Sequence, residues 1–598
     1  MICNQHDLNL IWGSLLWDIR ALMIAAGEKA DADSVRHYFG VPEDVLRMIM
    51  HDSSNQMVRL INFVDENCLM NGEPADISNL KSPIAADGFY DVQSDLFKEQ
   101  LVYPGFSRKE IPASVINDIL ESAAEASKKV QVLGERILID VLEQKGSYIS
   151  LNGGKSSVFE NAKLRAGIAL CLSMAGEKGS ILICSFDFLG IKDFKFRKEF
   201  SSSPGTLCAS SFYVDIMREN FLDDYYACTG LSYVNTIFSG GRHLHLFIPN
   251  TEEMRNKTKK YVSSFNSWLV RCYGTEMFVS YGLSDSGQLD IRSICGEERE
   301  NRYKRYYSEI ASQRNVMESS KYSARDIIEL KHIYSAEGRS DTDRKTKRIA
   351  NLIFQDYDKR KLLRIFDRAV DKSVEIGPGR FLNIAGESDI APVRCYWRKN
   401  GGSSISIPGV YGSSELCGIW YGGIPDLPQA ENQNAFEQHN CAVLRLDIDN
   451  FREGMFGKSA GDDSDPAFAV KMEQSKHLGL FLRKDIYVLA DRFVKSAGDK
   501  SYRKLLWIIH EGADDAFIAG EYRAVLEFSA ELIHHYYRYS GNNMSFSGGI
   551  CRYDSHSIDF ADCAAFAQLL MDHAKEAEGK NSVVIEDDDH CIKWERII

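Results

Sequence analysis

The stretch LLWIIHEGADDAFIAGEY, residues 505–522, places Gly512, Ala513, Asp514 and Asp515 between two strongly apolar runs. Apolar runs rich in β-branched and aromatic residues on either side of a short Gly- and Asp-containing segment predict a β-hairpin. An ordinary surface turn does not need flanking runs this apolar, and two adjacent negative charges would destabilise a hydrophobic core. The stretch therefore favours a functional hairpin tip, although Gly and Asp are also common in ordinary turns.

The pattern around this hairpin predicts a complete ferredoxin-like unit. The strand-like CAVLRLDIDNF comes first, then a single long helix, then the hairpin, and then another helix and strand. This is the order β-α-β-β-α-β. The same order occurs earlier in the chain, where GSILICSFDF opens the unit and LSYVNTIFSGGRHLHLFIPN forms its hairpin. We therefore predict an internal repeat of two ferredoxin-like palm domains.

The rest of the chain is predicted to support these two palms. The fold class is α+β, with a helical N-terminal domain and a connecting domain of helices, loops or small strands. The predicted domains are a helical domain at 1–178, a first palm at 179–285, a connecting domain at 286–435 and a second palm with the functional hairpin at 436–598.

Composition narrows the class of protein. With 598 residues, the chain is long enough for several domains. Its net charge of −14 argues against wholesale wrapping of nucleic acid but not against local basic patches. Apolar runs such as SILICSF fall far short of a membrane span, so no membrane association is expected. The 14 scattered cysteines, without a C-x-x-C pair, indicate free thiols in a reducing cytoplasm.

The second palm gathers acidic residues. Strand residues alternate between faces, so Asp447 and Asp449 share one face, with Ile448 between them on the other. The predicted strand order brings Asp447 close to Asp514 and Asp515. Converging carboxylates repel unless a hard cation such as Mg²⁺ or Mn²⁺ lies among them. We therefore predict two ions at this site, which would support nucleotidyl transfer.

Further residues of the second palm are predicted to meet a triphosphate. A small, flexible turn at Gly512 and Ala513 would let a triphosphate approach the backbone closely. Ser547, followed by two glycines, indicates another close approach. The residues predicted to supply a cation or amide near the phosphates are Lys575, Lys580 and Asn581.

Four stretches together resemble a known family. CSFDFLGIKDF, FSGGRHLHLFIPN, VLRLDIDNF with EGADD, and AKEAEGKN are similar to signatures of the large, polymerase-like subunit of type III CRISPR effector complexes, nearest the type III-A form. The resemblance follows the domain order of the whole chain. It implies a subunit of an antiviral effector complex that binds CRISPR RNA and target RNA together with other protein subunits. It also implies that target RNA activates synthesis of cyclic oligoadenylate from ATP.

The resemblance also implies roles for individual residues. Asp514 and Asp515 would be the catalytic metal and triphosphate site, with Asp447 as their partner. The metal-site residues would be Asp447, Ile448, Asp449, Asp514 and Asp515. In the first palm, Ser239, Gly240 and Gly241 would hold a second ATP, with Asp187 of its Asp-x-x-Gly-Ile signature also near nucleotide. Because that hairpin lacks paired carboxylates, it is expected to bind without catalysing.

Two departures from the family pattern affect activity. The second glycine of the hairpin motif is replaced by Ala513, which is costly only if its φ is positive. Family members usually open with a His-Asp metal-dependent nuclease domain, but Trp17 stands before Asp18 here, and an indole cannot bind a metal. Asp18, His51 and Asp65 therefore form a degenerate site, and deoxyribonuclease activity is not expected.

Two other functions remain open from the sequence. The chain could be a scaffold that positions guide and target RNA after losing turnover through Ala513. It could instead be a stand-alone nucleotide cyclase with another nucleotide substrate, active without RNA or partner subunits.

Overall fold

The fold was obtained as a computed structural model of the chain. It describes residues 4–68, 77–85, 88–91, 101–105, 107–151, 153–176, 180–195, 204–240, 242–284, 299–322, 326, 328, 330, 362–383, 390, 392–397, 410–411, 440–451, 467–510, 515–541, 544–553, 560–586 and 591–596.

The N-terminal region is helical, with one small two-stranded sheet. Its helices are α1 (Gln5–Leu15), α2 (Ile19–Ala25), α3 (Ala32–Phe39), α4 (Glu43–Ile49), α5 (Gln56–Cys68), α6 (Ala113–Ser127), α7 (Val130–Leu133), α8 (Arg136–Gly146) and α9 (Val158–Ala175), and its strands are β1 (Ser78–Asn79) and β2 (Ile149–Ser150). The Ser157 side chain caps the start of α9, and Gly176, with φ of 84°, ends it.

The first palm has the predicted β-α-β-β-α-β order. Its elements are β3 (Ile181–Leu189), α10 (Ile191–Lys195), α11 (Pro204–Thr229), β4 (Thr236–Gly240), β5 (His243–Pro249), α12 (Glu252–Tyr273) and β6 (Phe278–Leu283). The strands lie in the order β4-β5-β3-β6, and every neighbouring pair is antiparallel. The central strand β3 is buried along nearly its whole length because helices and sheet neighbours cover it.

Between the palms, the described residues form a helix and a five-stranded sheet. These elements are α13 (Arg299–Ser319), β7 (Leu362–Phe366), β8 (Ser373–Gly377), β9 (Arg380–Asn383), β10 (Arg394–Trp397) and β11 (Val410–Tyr411). Helix α13 packs on β6 of the first palm. Arg394 joins β10 to the first palm because its guanidinium donates to Asn220 and Asp224 of α11.

The second palm repeats the fold of the first and extends its sheet. Its elements are β12 (Cys441–Ile448), α14 (Ala467–Leu480), α15 (Ile486–Lys495), β13 (Leu506–His510), β14 (Asp515–Glu521), α16 (Tyr522–Ser540), β15 (Phe546–Tyr553), α17 (Phe560–Glu576), β16 (Ser582–Ile585) and β17 (Ile592–Lys593). The strand order is β13-β14-β12-β15-β16-β17. The predicted single long helix is interrupted by a π-helical segment at Phe481–Asp485, which joins α14 to α15.

These observations confirm the predicted fold class of two palms with a helical N-terminal region. One hydrophobic core runs from the helical region through the first palm into one side of the second palm. A second core fills the other side of the second palm. Among the described residues, the segment Gln5–Ala25 is long and apolar enough for a membrane span, but 72% of its apolar stretch is buried in the first of these cores. Packing therefore accounts for its apolar character.

Candidate functional site

Two predicted catalytic carboxylates meet where the hairpin joins the second-palm sheet. Asp447 lies near the end of β12 and Asp515 begins β14, and the antiparallel register pairs the two residues directly. Directly opposed side chains in such a pair have Cβ atoms about 4.5–5.5 Å apart. Both carboxylates are mostly covered, with side-chain exposures of 22% and 16%. The sheet itself therefore holds two acidic groups side by side.

A lysine approaches each of these carboxylates. Lys575 on α17 places its Nζ 2.6 Å from Oδ2 of Asp447. Lys192 on α10 of the first palm places its Nζ 4.0 Å from Oδ2 of Asp515, and its side chain is 64% exposed. The Lys575 contact is a close ion pair, whereas the Lys192 contact is long and solvent-screened. Lys192 nevertheless brings a first-palm cation to the second-palm site.

Asp449 has a different environment from Asp447. It is buried, and its carboxylate accepts hydrogen bonds from the hydroxyls of Ser545 and Ser547, both at 2.7 Å. A third hydrogen bond, of 3.0 Å, comes from the backbone N–H of Asn581. These donors already use both carboxylate oxygens. The prediction that Asp449 shares the metal site is untested, but its contacts fit a role in holding the segment that follows β12.

Asp449 is part of a hydrogen-bonded loop cluster at this end of the sheet. Asn450, Lys580 and Asn581 all have positive φ, between 48° and 55°. Lys580 Nζ donates to the side-chain oxygen of Asn450 at 2.7 Å, and Tyr537 donates to the side-chain oxygen of Asn581. The structure therefore gathers the predicted residues Lys580 and Asn581 near Asp449. Positive φ in three non-glycine residues marks a backbone that its surroundings hold in place.

The close approach predicted at Ser547 is made by protein atoms. Ser547 is fully buried, and its hydroxyl faces Asp449. A Cβ added at Gly549 would lie 2.2 Å from the carbonyl oxygen of Ala567 in α17. Gly549 therefore lets α17 pack on the strand, whereas a Cβ at Gly548 would meet Leu446 and Trp594 instead. In these contacts Ser547 supports an acidic residue and is not presented to the cleft.

Asp187 of the first palm is a buried carboxylate with two arginines and one histidine close to it. Asp187 on β3 lies 3.3 Å from Arg242, 3.4 Å from His243 and 3.5 Å from Arg314 of α13. Burial raises the pKa of Asp187, and Arg242 and Arg314 partly offset that effect. Sequence reasoning missed Arg314 because it lies in a charged helix beyond the palm.

The described part of the predicted first-palm nucleotide site borders a cavity between three parts of the molecule. Ser239 and Gly240 end β4, and both are buried. Ser239 lines the cavity together with Lys163 of α9 and Lys476 of α14. Helix α14 belongs to the second palm, so the β4 end of the first palm faces both the helical region and the other palm.

Of the three residues predicted to remain from a nuclease site, the two aspartates are bridged by an arginine and the histidine packs on Trp17. Arg165 of α9 donates its Nη1 to Asp18 at 2.9 Å and its Nε to Asp65 at 2.6 Å. The His51 ring stacks on Trp17 with a centroid distance of 4.0 Å, and its Nε2 lies 3.3 Å from the Trp17 carbonyl oxygen. Burial raises the pKa of Asp65, an effect that Arg165 partly offsets, and burial lowers the pKa of His51.

Some predicted site residues lie outside the described residues, namely Gly241, Gly512, Ala513 and Asp514. Within the described ranges, no group of three His, Cys, Asp or Glu side chains forms a complete metal site. The two described carboxylates that face each other, Asp447 and Asp515, account for two members of the predicted set. Ile448 lies between Asp447 and Asp449 with its side chain buried in the sheet core.

Two palm domains, of which the second carries paired carboxylates where its hairpin joins the sheet, define a two-palm, polymerase-like protein. Residues 180–333 match the family model of the Csm1 subunit domain B, and residues 440–584 match that of the Cas10/Cmr2 second palm domain. In both palms the chain is therefore similar to Cas10/Csm1-type large subunits of type III-A.

Two curated relatives carry the name "CRISPR system single-strand-specific deoxyribonuclease Cas10/Csm1 (subtype III-A)". The Mycobacterium tuberculosis protein is 24% identical over 559 residues, which cover 82% of this chain and 67% of the relative. The Streptococcus thermophilus protein is 23% identical over 489 residues, which cover 77% of this chain and 59% of the relative. The chain thus spans between 59% and 67% of the length of these two relatives.

Solved structures share the fold over nearly the whole chain. A Csm1–Csm4 subcomplex of the type III-A CRISPR-Csm interference complex aligns with a TM-score of 0.74 at 17% identity, covering 99% of this chain and 87% of that one. A Csm1–Csm4 cassette in complex with cA4 aligns with a TM-score of 0.73 at 16% identity, covering 99% and 86%. Another was solved in complex with one ATP, with a TM-score of 0.73.

Proposed function

We propose that this chain is the large subunit of a type III-A CRISPR effector complex and that it synthesises cyclic oligoadenylate from ATP when the complex recognises target RNA. The observation that carries the proposal is the direct pairing of Asp447 with Asp515 in only one of two palms. The solved relatives in complex with ATP, cA3 and cA4 support the choice of nucleotide and product.

The two palms would have different tasks. The second palm supplies the acidic residues Asp447 and Asp515, with Asp514 as the third expected member. The first palm supplies Ser239, Gly240 and Gly241 for a second ATP. Its only carboxylate among the described β3 residues, Asp187, already contacts two arginines and a histidine. Two nucleotides held by the two palms would be joined through a 3′-hydroxyl and an α-phosphate, with pyrophosphate as the leaving group.

The donor set of the second palm fits Mg²⁺ or Mn²⁺. Asp447 and Asp515 offer oxygen donors from adjacent strands, which hard divalent cations prefer. Two ions held there would activate the attacking hydroxyl and neutralise charge on the triphosphate and pyrophosphate. The ligands in this proposal are Asp447, Asp514 and Asp515, whereas Asp449 positions the end of β12 through its three hydrogen bonds.

Cationic side chains would hold the phosphates. Lys575 and Lys192 stand next to the acidic pair, so each is in reach of a triphosphate that binds beside those carboxylates. Lys580 is held by Asn450 at the same end of the sheet. Phosphoryl transfer depends mainly on positioning and charge stabilisation, and these residues supply both.

The partners follow from the family. The relatives were solved as Csm1–Csm4 assemblies, and we propose that this chain likewise works in the cytoplasm with other protein subunits, CRISPR RNA and target RNA. Two alternatives differ in what they require. A stand-alone cyclase would make product without these partners, and a scaffold would assemble with them but make no product.

The test assembles the full chain with its partner subunits and guide RNA and supplies labelled ATP with Mg²⁺ or Mn²⁺. Target RNA is expected to produce a ladder of oligoadenylates whose ring forms are identified by mass. Asp447→Asn and Asp515→Asn should each lower the rate by roughly 100-fold or more because each removes a charge that the transition state uses. Asp514→Ala should do the same.

Asp499→Asn is the matched control because Asp499 is an exposed residue of the same palm, away from the acidic pair. It should retain the wild-type rate. RNA binding without product would identify a scaffold, and product formation without RNA or partner subunits would identify a stand-alone cyclase.

A further inference from the structure

The curated relatives are named as deoxyribonucleases, and the family's nuclease domain uses a metal. The residues in the corresponding place here do not fit a metal ion. Asp18 and Asp65 are bridged by the guanidinium of Arg165, at 2.9 Å and 2.6 Å. The Arg165 side chain is 5% exposed, and the two carboxylates are 13% and 25% exposed. A fixed positive charge therefore already lies between the two acids.

The other two residues at this place, Trp17 and His51, also make contacts with other protein groups. Trp17 stands where the family has histidine, and its side chain lies near Asp65, whose pKa it acts to lower against the effect of burial. An indole has only its N–H to donate and offers no lone pair to a metal. The same ring stacks on His51, whose Nε2 is directed at the Trp17 carbonyl oxygen. A nitrogen that donates to a carbonyl oxygen is not available as a metal ligand.

Arg165 lies on helix α9, which neighbouring elements hold in place. The helix packs against α1, α5 and α8. Two residues further along α9, a Cβ at Gly167 would lie 2.4 Å from the carbonyl oxygen of Val234, so the helix fits closely against the first palm. The carbonyl of Gly167 also accepts a hydrogen bond of 3.1 Å from Asn235. The backbone that carries Arg165 is therefore held in place beside the two carboxylates.

We infer that the guanidinium of Arg165 has replaced the metal ion of the ancestral nuclease site. Asp18, Asp65 and Arg165 form a closed ion-pair site that joins the start of α2 to α5 and α9 and binds no divalent cation. This accounts for a helical region that is retained in the fold although its nuclease residues are incomplete. The inference does not depend on the proposed synthesis of oligoadenylate.

The first test measures metal binding and DNA cleavage by the full chain. Mn²⁺ binding is followed by calorimetry and by electron paramagnetic resonance, and single-stranded DNA is incubated with Mn²⁺, Co²⁺ or Ni²⁺. Asp18→Asn and Asp65→Asn should leave the number of bound Mn²⁺ ions unchanged, and wild-type cleavage should not exceed that of Asp18→Asn. Loss of one bound ion in either variant, or wild-type cleavage that Asp18→Asn abolishes, would overturn the inference.

The second test measures stability. Arg165→Met leaves two covered carboxylates without their cation, so it should lower the melting temperature by roughly 5–10 °C. The triple variant Asp18→Asn, Asp65→Asn, Arg165→Met removes all three charges and should recover most of that loss. Arg47→Met is the control, because Arg47 is about half exposed and pairs with Glu43 at the surface.

Arg165→Met with wild-type stability would contradict the inference, as would a triple variant that recovers nothing. If Arg165→Met does not fold, the metal-binding and cleavage measurements decide the question, since they compare the wild type with asparagine variants of nearly the same shape. Failure of oligoadenylate synthesis would leave both tests unaffected, because neither uses ATP and the metal-binding test compares the wild type only with variants at Asp18 and Asp65.

Discussion

Asp447 and Asp515 are direct neighbours across the β12–β14 strand pair, so the sheet of the second palm holds two like charges opposite each other. Like charges directly opposite each other destabilise a strand pair. The Lys575 ion pair at Asp447 offsets part of this repulsion, but the long Lys192 contact offsets little of it. The acidic pair is thus maintained at a cost in stability, as is common where function requires it.

The first prediction concerns the repulsion between Asp447 and Asp515. In the absence of divalent ions, Asp515→Asn should raise the free energy of unfolding by about 0.5–1 kcal/mol because it removes one of the two opposed charges. An excess of MnCl₂ should raise the melting temperature of the wild type and have little effect on this variant. Thermal melts in EDTA and in MnCl₂ measure both effects.

Asp499→Asn serves as the control for these melts, since its side chain lies on the exposed surface of the same palm. It should leave the response to Mn²⁺ unchanged. An Asp515→Asn variant that is less stable than the wild type in EDTA would refute the repulsion argument.

The second prediction separates Asp449 from the acidic pair. Asp449→Ala leaves the hydroxyls of Ser545 and Ser547 and the N–H of Asn581 without their acceptor, and it should destabilise the folded chain by about 1–3 kcal/mol. Denaturant unfolding measures this loss. The same substitution at Asp447, whose side chain is 22% exposed, should destabilise the chain less. Equal losses at the two positions would argue against a positioning role for Asp449.

The third prediction concerns Lys192, the first-palm lysine whose Nζ lies 4.0 Å from Asp515. If it binds phosphate in the loaded site, Lys192→Met should lower oligoadenylate synthesis about tenfold, which corresponds to roughly 1.4 kcal/mol of transition-state stabilisation. Stability should be almost unchanged, because an exposed pair at 4.0 Å contributes little. Rate against ATP concentration is the measurement.

Lys259→Met, at an exposed position of α12, is the control for that charge change and should keep the wild-type rate. Full activity in Lys192→Met would show that the contact between the palms does not bear on the reaction.

The fourth prediction concerns the contact between the helical region and the second palm. Glu473 of α14 is fully buried and accepts from the N–H and hydroxyl of Ser157, while Lys476 lies 3.0 Å away. Burial alone would raise the pKa of Glu473, but Lys476 and His477 outweigh it and bring the pKa to about 2. This contribution to stability is complete above the ordinary value near 4.5 and is lost as the pH falls from there toward 2.

Glu473→Gln should therefore destabilise the chain by roughly 3–5 kcal/mol at pH 7, and the difference from wild type should shrink below pH 4.5. Denaturant unfolding at a series of pH values measures this. Glu125→Gln, at an exposed surface pair on α6, is the control. A destabilisation that does not change with pH would mean that the charge of Glu473 is not the cause.

Local patterns in the sequence were sufficient for the framework of the second palm. Alternation along VLRLDIDNF placed Asp447 and Asp449 on one face, and the order of elements predicted which strands are neighbours. The structure confirms the two-palm fold class. The break between α14 and α15 was missed because its residues, Phe481–Asp485, include no Gly or Pro to signal an interruption of the helix.

Contacts between distant segments were beyond this kind of inference. Arg165 is 147 residues from Asp18 and 100 from Asp65, and no local pattern links an arginine on a helix to two acids elsewhere. Glu160 and Lys163 resemble solvent-facing charges, yet both are buried where α9 meets the second palm. Hydropathy reports how polar a side chain is, and it does not report which neighbouring domain will cover that side chain.

The contacts of helix α9 determine which fragments of this protein can be expressed on their own. The helix carries Ser157 at its start, Arg165 in its middle and Gly167 against the first palm. A recombinant fragment that begins after residue 176 would lack Ser157, which donates hydrogen bonds to Glu473. It would also expose the surface of the first palm that α9 covers. Truncation is therefore a poor route to isolated palms, and point substitutions in the intact chain are the better tool.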